Sequence, residues 1–390
     1  MTDFVDGVDE VDSVDRVRPA PRPHRPQSPL RPPSSFSSSS TTISETRLRF
    51  FWAAVLSLAM LPVLGCERQA TRPLQHPAAS PSTPTLEPPA GGDLPTRAEQ
   101  IVSDALTDAD PQIRANAVEV VASTRELRLM PRVQKLLADP VIPVRFAAIL
   151  AIGDLGYALA KDEVAPLLND ANPNIKIAAA YAMSRLGQPQ YYKDICTAVA
   201  SSDQTVRANA ALLLGKSGQK EGIPFLYWTL RRDDSSDLVV LQTAEAIAML
   251  RDPRIYRTLW TRLISTYADD RVIGVRAMGA LGTDEAKSAI VTMLDDPIPE
   301  VRLAAAEQLG KHGDSAGEAE VLAVFKKNLI TDMDTQGQQR VKTLAALAIG
   351  EIGTERSAKY LPQLLEDPSK NVRLAAAKAV LRRTLKKLRP

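Results

Sequence analysis

Apolar residues recur along this chain at a spacing that predicts helices in regular succession. In the segment that starts at Val301, the residues Val301, Ala305 and Leu309 lie on one helical face. A second amphipathic stretch precedes each such segment, for example residues 285–294 ahead of Val301. Strand-like alternation and hairpin signals are lacking. The pattern therefore predicts an all-α chain with two antiparallel helices per unit.

The same helical pattern occurs nine times, and successive copies begin 31, 31, 31, 34, 30, 31, 40 and 31 residues apart. This period is typical of supersecondary units that stack into a solenoid. We therefore expect an α-solenoid of about nine two-helix repeats over residues 96–390. The copies begin at Ile113, Val144, Ile175, Val206, Val240, Asp270, Val301, Val341 and Val372.

Two recurring glycines have different predicted roles. The glycine at the tenth position, as in Gly153 and Gly310, lies inside a helix, where glycine costs up to about 1 kcal/mol relative to alanine. Its recurrence predicts close approach by the neighbouring helix. The glycine at the thirteenth position, as in Gly156, predicts a C-terminal cap with positive φ. The residues predicted to cap the N-termini are Asp110, Asn172, Asp203, Asp237 and Ser369.

An acidic residue stands six positions before the basic residue of several repeats. With this feature and the LGxxG ending, the chain resembles the HEAT-repeat superfamily, most closely the short HEAT-like repeats of phycobilin lyases. The resemblance implies that the acidic and basic residues form a ladder between adjacent units. It implies little about function, because this fold occurs in scaffolds, adaptors and enzymes. The ladder candidates are Asp139 and Arg145, Asp296 and Arg302, and Asp367 and Arg373.

A different kind of segment precedes the repeats. It has two basic residues, then about fifteen mostly apolar ones, and it ends at Gly65 and Cys66. This order predicts a secretory signal in residues 47–65. A spanning helix, which needs about 20 apolar residues, is the second interpretation. The ending resembles the lipobox of bacterial lipoproteins, which implies acylation of Cys66; a chance cysteine after an apolar run is the alternative.

The flanks of this signal have the composition of unfolded chain. Residues 66–95 are rich in Pro, Ala, Ser and Thr, as expected of a tether from a lipidated cysteine. Glu67, rather than aspartate, follows the cysteine, which favours the outer over the inner membrane in a diderm bacterium. Residues 1–46 could not build a core. We interpret them as a disordered leader, with a start codon assigned upstream of the real one as the alternative.

Composition narrows the function classes. The net charge is +2 with acids and bases interspersed, which gives no footprint for nucleic acid. Three His are far apart and no phosphate loop or nucleophile motif occurs, so we expect no catalytic residues, no metal and no cofactor. HEAT-like deoxyhypusine hydroxylases hold iron with repeated His-Glu pairs, and none occurs here. Cys196, the second of two cysteines, is expected to be a small buried residue.

The remaining candidate for function is the surface of the solenoid. The third and seventh positions of the pattern should point outward, and in the early repeats they are apolar, which suits peptide binding; packing against neighbouring units is the alternative. The aromatic residues of the first helices are expected to be core.

The sequence thus favours a non-enzymatic, lipid-anchored scaffold or adaptor for a protein or peptide partner in the bacterial envelope. A lyase-like enzyme or enzyme subunit in the cytoplasm is the alternative if the signal is not used, and a purely structural envelope component is a third possibility. The candidate binding residues are Phe146, Leu150, Ile177, Tyr181 and Leu212, and the expected core aromatics are Phe225, Tyr227, Trp228, Tyr256 and Trp260.

Overall fold

The computed structural model describes residues 93–326 and 329–387. The chain divides into two units, Met1–Ser44 and Glu45–Pro390, and every described residue lies in the second. Cys66 and the predicted segments 1–46 and 47–65 lie outside the described residues, as does nearly all of 66–95. Within the described ranges the chain is helical and contains no strand, so the prediction of an all-α solenoid is confirmed.

Nineteen α-helices alternate between an outer and an inner layer. The outer helices are shorter; they are α1 Leu94–Ala105, α3 Met130–Lys135, α5 Lys161–Val164, α7 Tyr192–Ala198, α9 Ile223–Leu230, α11 Tyr256–Leu263, α13 Asp284–Thr292, α15 Glu318–Lys326, α17 Glu355–Ala358 and α18 Leu361–Leu365. The inner helices are longer; they are α2 Pro111–Thr124, α4 Ile142–Leu155, α6 Pro173–Arg185, α8 Gln204–Ser217, α10 Asp237–Met249, α12 Ala268–Leu281, α14 Pro299–Lys311, α16 Thr335–Ile352 and α19 Lys370–Lys387.

The helix ends follow the capping signals in the sequence. The side chains of Asp110, Asn172 and Asp203 each accept a hydrogen bond from a backbone N–H in the first turn of the helix that follows. In α10 the capping residue is Ser236 rather than Asp237. Thirteenth-position glycines adopt positive φ as predicted; they are Gly156, Gly187, Gly218, Gly282, Gly313 and Gly353.

Two repeats use arginine at this left-handed position. Arg125 ends α2 and Arg251 follows α10, and both have φ of 58°. Because Arg251 occupies the thirteenth position, the fifth repeat begins at Val239 and not at Val240 as the sequence suggested. Val239 is fully buried and Val240 only partly, which agrees with the corrected phase.

The tenth-position glycines lie where inner helices touch, which confirms the prediction of close helix approach. A Cβ added to Gly215 would lie 2.7 Å from the backbone Cα of Ala246 in the next inner helix. A Cβ added to Gly350 would lie 2.7 Å from the Cα of Ala379. A distance this short between a side chain and backbone cannot be relieved by changing a rotamer. These glycines therefore set the spacing between inner helices.

The acidic and basic residues form a ladder whose side-chain rungs join adjacent repeats. Asp139 receives two hydrogen bonds from the guanidinium of Arg114 in the preceding repeat, at 2.8 and 2.9 Å. Arg271 binds Asp296 in the same way, and the Nζ of Lys342 lies 2.8 Å from an oxygen of Asp367. Charged groups that are largely buried in this way are neutralised within the stack.

Within one repeat the predicted pairs meet through the backbone instead. Arg145 donates to the backbone carbonyl of Asp139 at 2.7 Å. The same contact joins Arg302 to the carbonyl of Asp296 at 2.8 Å, and Arg373 to that of Asp367 at 2.7 Å. The carboxylate of each Asp is thereby left free for the neighbouring repeat.

The last repeat packs against the first, so the stack of repeats closes on itself. Helix α19 contacts both α1 and α2. Across this seam the Nζ of Lys378 lies 2.8 and 3.0 Å from the two carboxylate oxygens of Glu119, and Lys370 reaches Asp108 at 2.7 Å. The amides of Asn116 and Asn371 are 3.4 Å apart. The inner helices therefore form a closed ring.

Candidate functional site

The residues proposed from sequence as a partner-binding groove are buried. Phe146, Leu150, Ile177, Tyr181 and Leu212 are between 0% and 7% exposed, so the prediction that they point outward is wrong. Each inner helix packs between two others in the closed ring, and those neighbours cover the third and seventh positions. Packing against neighbouring units, the alternative, describes these five residues.

Tyr181 illustrates how polar atoms on the inner helices find partners. Its hydroxyl donates to Asp154 of α4 at 2.6 Å, and Asp154 also lies 2.8 Å from the Nζ of Lys216 in α8. Burial, followed by the nearby charge of Asp154, raises the pKa of Tyr181 well above its ordinary value. Three successive inner helices are therefore joined by one network of polar side chains.

The seventh position changes from apolar to charged in the later repeats. Glu245, Arg276 and Glu307 occupy it in α10, α12 and α14, and the carboxylate of Glu307 lies 2.8 Å from Lys311 and 3.7 Å from Arg276. Burial alone would raise the pKa of Glu307, but Lys311 and Arg276 outweigh it and hold that pKa at about 2. In Glu245, burial raises the pKa. The inner charges largely neutralise one another.

One cavity of about 230 Å³ lies on the inner side of α2 and α4. Its charged lining groups are Glu119, Asp154 and Lys216. Glu119 is bound by Lys378, and Asp154 by Lys216, so each already has an opposite charge as partner. Within residues 93–326 and 329–387, His, Cys, Asp and Glu side chains do not gather into a group that could hold a metal ion.

The exposed apolar side chains lie mainly on the outer helices and on the turns beside them. Nine large hydrophobic residues are exposed in the described part of the chain, and six of them fall between residues 225 and 291. The expectation that Phe225, Trp228 and Trp260 are core residues is wrong, because they are 38–46% exposed. We call the six residues the outer aromatic surface; they are Phe225, Trp228, Trp260, Ile264, Tyr267 and Val291.

The repeat register shows which residues of these outer helices face the same direction. Leu226 in α9, Leu259 in α11 and Ile290 in α13 are buried, and each lies eight residues after the thirteenth position of the preceding repeat, so they are equivalent positions. The residue directly after each must therefore face the same way on successive outer helices, which typically pack about 8–10 Å apart. Those residues are Tyr227, Trp260 and Val291.

Arginine side chains cover and flank these rings. The guanidinium carbon of Arg254 lies 4.9 Å from the ring centre of Tyr227, and that of Arg231 lies 5.9 Å from it. Arg257 lies one turn before Trp260 on the same face of α11, and it is exposed. Cation–π contacts of this kind contribute about 0.5–1 kcal/mol at exposed sites. We call Tyr227, Arg231, Arg254, Arg257 and Trp260 the arginine–aromatic row.

The two cysteines differ in what the structure describes. Cys196 is buried in α7 and free of any disulfide, and burial raises the pKa of its thiol, as expected of a small packed residue. Cys66 lies outside the described residues, so acylation there stays a prediction. None of the helices in the described ranges has the length and apolarity that crossing a bilayer requires.

Residues 98–184 and 262–336 match the family model of HEAT repeats. The solenoid is HEAT-like. No curated protein sequence matches the chain. The family match spans inner helices whose glycines and ladder residues are described above, so it agrees with the repeat pattern.

Several solved structures are similar to this chain at low sequence identity. The complex of CpcE and CpcF of phycocyanin lyase from Nostoc is 20% identical, with 68% of this chain and 98% of that chain covered and a TM-score of 0.37. Human deoxyhypusine hydroxylase is 17% identical, with 74% and 97% covered and a TM-score of 0.32. The YibA protein of Escherichia coli is 19% identical, with 66% and 97% covered and a TM-score of 0.33.

Proposed function

We propose that this protein is a non-enzymatic adaptor that binds a protein partner through the outer aromatic surface. The observation that carries the proposal is the concentration of exposed aromatic and aliphatic side chains on three consecutive outer helices, α9, α11 and α13, and on the turn that follows α11. Large apolar side chains gathered at one exposed place are typical of interaction sites, and tryptophan is enriched among residues that dominate binding energy.

The closed ring supports the same proposal. Its inner positions are filled by packed apolar residues and by charges that are paired with one another, as in Asp154 with Lys216 and Glu119 with Lys378. A rigid scaffold that presents aromatic side chains loses little conformational freedom on binding. The outer helices are therefore the part of the described chain best suited to a partner.

We further propose that the protein is tethered to the bacterial envelope by a lipid on Cys66, with the outer membrane as the favoured destination. The basic, apolar, Gly-Cys order of residues 47–66 and the Pro-rich residues that follow support this proposal. Metabolic labelling with a fatty-acid analogue should mark the wild-type protein. Label that persists in Cys66→Ser would contradict the lipid anchor.

The binding surface is tested by photo-crosslinking in cells. A photoreactive phenylalanine analogue placed at Trp260 should yield one crosslinked species, and the same analogue at Leu159 should not, although Leu159 is 78% exposed. Adding Trp228→Ala should reduce the yield, because it removes part of the surface without touching the crosslinker. Equal yields from both positions would show that the outer aromatic surface is not the binding site.

A further inference from the structure

Unpaired positive charge accompanies the exposed aromatics. Residues 253–268, which form α11 and its flanking turns, contain Arg254, Arg257 and Arg262 and no acidic residue. Arg254 is held by Asp252, and Arg262 lies 3.6 Å from Asp270. Arg257 and Arg231 form no ion pair with any described residue, and both are exposed. Two guanidinium groups therefore flank the rings of Tyr227 and Trp260 with no carboxylate bound.

Guanidinium groups bind carboxylates through two parallel hydrogen bonds, which makes them selective for acidic side chains. The aromatic rings between them offer apolar contact area. Resting on the proposed function, we infer that the arginine–aromatic row binds an acidic segment of the partner protein. Carboxylates of that segment pair with Arg231 and Arg257, and an apolar side chain between the carboxylates packs against Trp260.

An anionic membrane is the other surface that attracts arginine and tryptophan together, but the ring geometry favours a protein. Trp260 stacks on Tyr256 with ring centres 6.2 Å apart, and Tyr227 lies beneath Arg254. Both rings are thus held partly buried against the outer helices. Side chains that insert into a bilayer interface must project from the surface, whereas a peptide can pack on rings that lie along it.

The chain contains a spectroscopic probe of this surface. Its three tryptophans are Trp52, Trp228 and Trp260, and the last two belong to the outer aromatic surface. In the full chain carrying Trp52→Phe, tryptophan emission therefore reports only on that surface. The probe ligands are a synthetic peptide of alternating aspartate and leucine, and a neutral counterpart with asparagine in place of every aspartate.

We expect the acidic peptide to shift the emission and to bind at least tenfold more tightly than the neutral peptide. Rising salt concentration should weaken its binding, because exposed charges are screened. The double substitution Arg231→Gln with Arg257→Gln should lower the affinity at least tenfold. Arg128→Gln, which removes an exposed arginine of the second repeat, should leave it unchanged. Equal affinity for both peptides, or an equal effect of the control, would overturn the inference.

Other outcomes would show which ligand this surface binds in place of an acidic segment. Emission shifts with vesicles of anionic phospholipid but not with the acidic peptide would overturn the inference in favour of a membrane. Self-association in sedimentation that Trp260→Ala abolishes, again without peptide binding, would overturn it in favour of a second copy of this chain. If in-cell crosslinking at Trp260 persists in the double arginine variant, the proposed function survives and the acidic partner does not.

Discussion

Charge reversal across the seam tests whether the ring is closed in solution. Glu119 and Lys378 are 25% and 20% exposed, and their charged atoms lie 2.8 Å apart. An ion pair at this intermediate burial contributes about 1–2 kcal/mol, between exposed and buried pairs. Lys378→Glu removes that attraction and places two carboxylates together, so we expect the free energy of unfolding to fall by about 2–3 kcal/mol.

The reversed pair, Glu119→Lys with Lys378→Glu, should recover most of this loss in urea denaturation. Recovery should be incomplete, because Lys378 also lowers the pKa of Glu307 and a glutamate at that position would repel it. Small-angle scattering should show a larger radius of gyration for the single variants than for the double. Lys287→Glu, which reverses an exposed pair with Asp284 inside one helix, is the control. Additive effects of the two single substitutions would refute closure.

Three further substitutions test the repeat geometry and the inner charges. Gly310→Val should lower the free energy of unfolding by about 1–3 kcal/mol by overpacking, because its Cβ would lie 2.7 Å from the backbone nitrogen of Ile352; a melting temperature equal to that of an exposed-site variant would contradict this. Arg251→Gly should stabilise by about 1 kcal/mol, because a positive φ strains arginine and not glycine, and a lower denaturation midpoint would show that it does not. Glu307→Gln should reduce the loss of stability in acid: the folded-state pKa of Glu307 is about 2 against an ordinary 4.5, so its contribution is present above pH 4.5 and is lost as pH falls towards 2. An unchanged acid-unfolding curve would contradict that pKa.

The repeat unit could be predicted from sequence because its signals are local. Glycine inside a helix is unfavourable, so its recurrence there indicates a helix contact. Glycine directly after a helix is favoured because it adopts positive φ, so its recurrence there indicates a helix end. The one error of phase, at Val239, came from a repeat in which Arg251 replaces the terminal glycine. Nothing in the identity of an arginine signals positive φ, although its place thirteen residues into the repeat does.

The closure of the ring could not be predicted because no single repeat encodes it. It depends on the small rotation between neighbouring repeats, accumulated over the whole stack. The sequence alone is compatible with an open solenoid. The burial of Phe146 and Tyr181 is a separate matter, because both are covered by the inner helices on either side of their own.

The composition of α9 indicates that part of the outer aromatic surface is exposed. Helix α9 reads IPFLYWTL, so Thr229 is its only polar residue. An outer helix packs on one side only, and such a helix cannot bury apolar residues all around its circumference. Some of Phe225, Tyr227 and Trp228 therefore had to be exposed. Helix α11 has no such signal, because Trp260 lies with Leu259 and Leu263 on one apolar face and the opposite face is polar.

The seam between α19 and α1 also governs how the protein reaches its native state. An open stack can fray from either terminus, whereas here each terminal repeat is held by two neighbours. Asn116 and Asn371 meet across 255 residues of sequence, so their contact has a large loop-closure entropy and forms late in folding. Unfolding should begin with the reverse step, in which the seam parts while the remaining repeats still have their helical contacts. Proteolysis under native conditions should then cut first near residues 93–110 and 366–387.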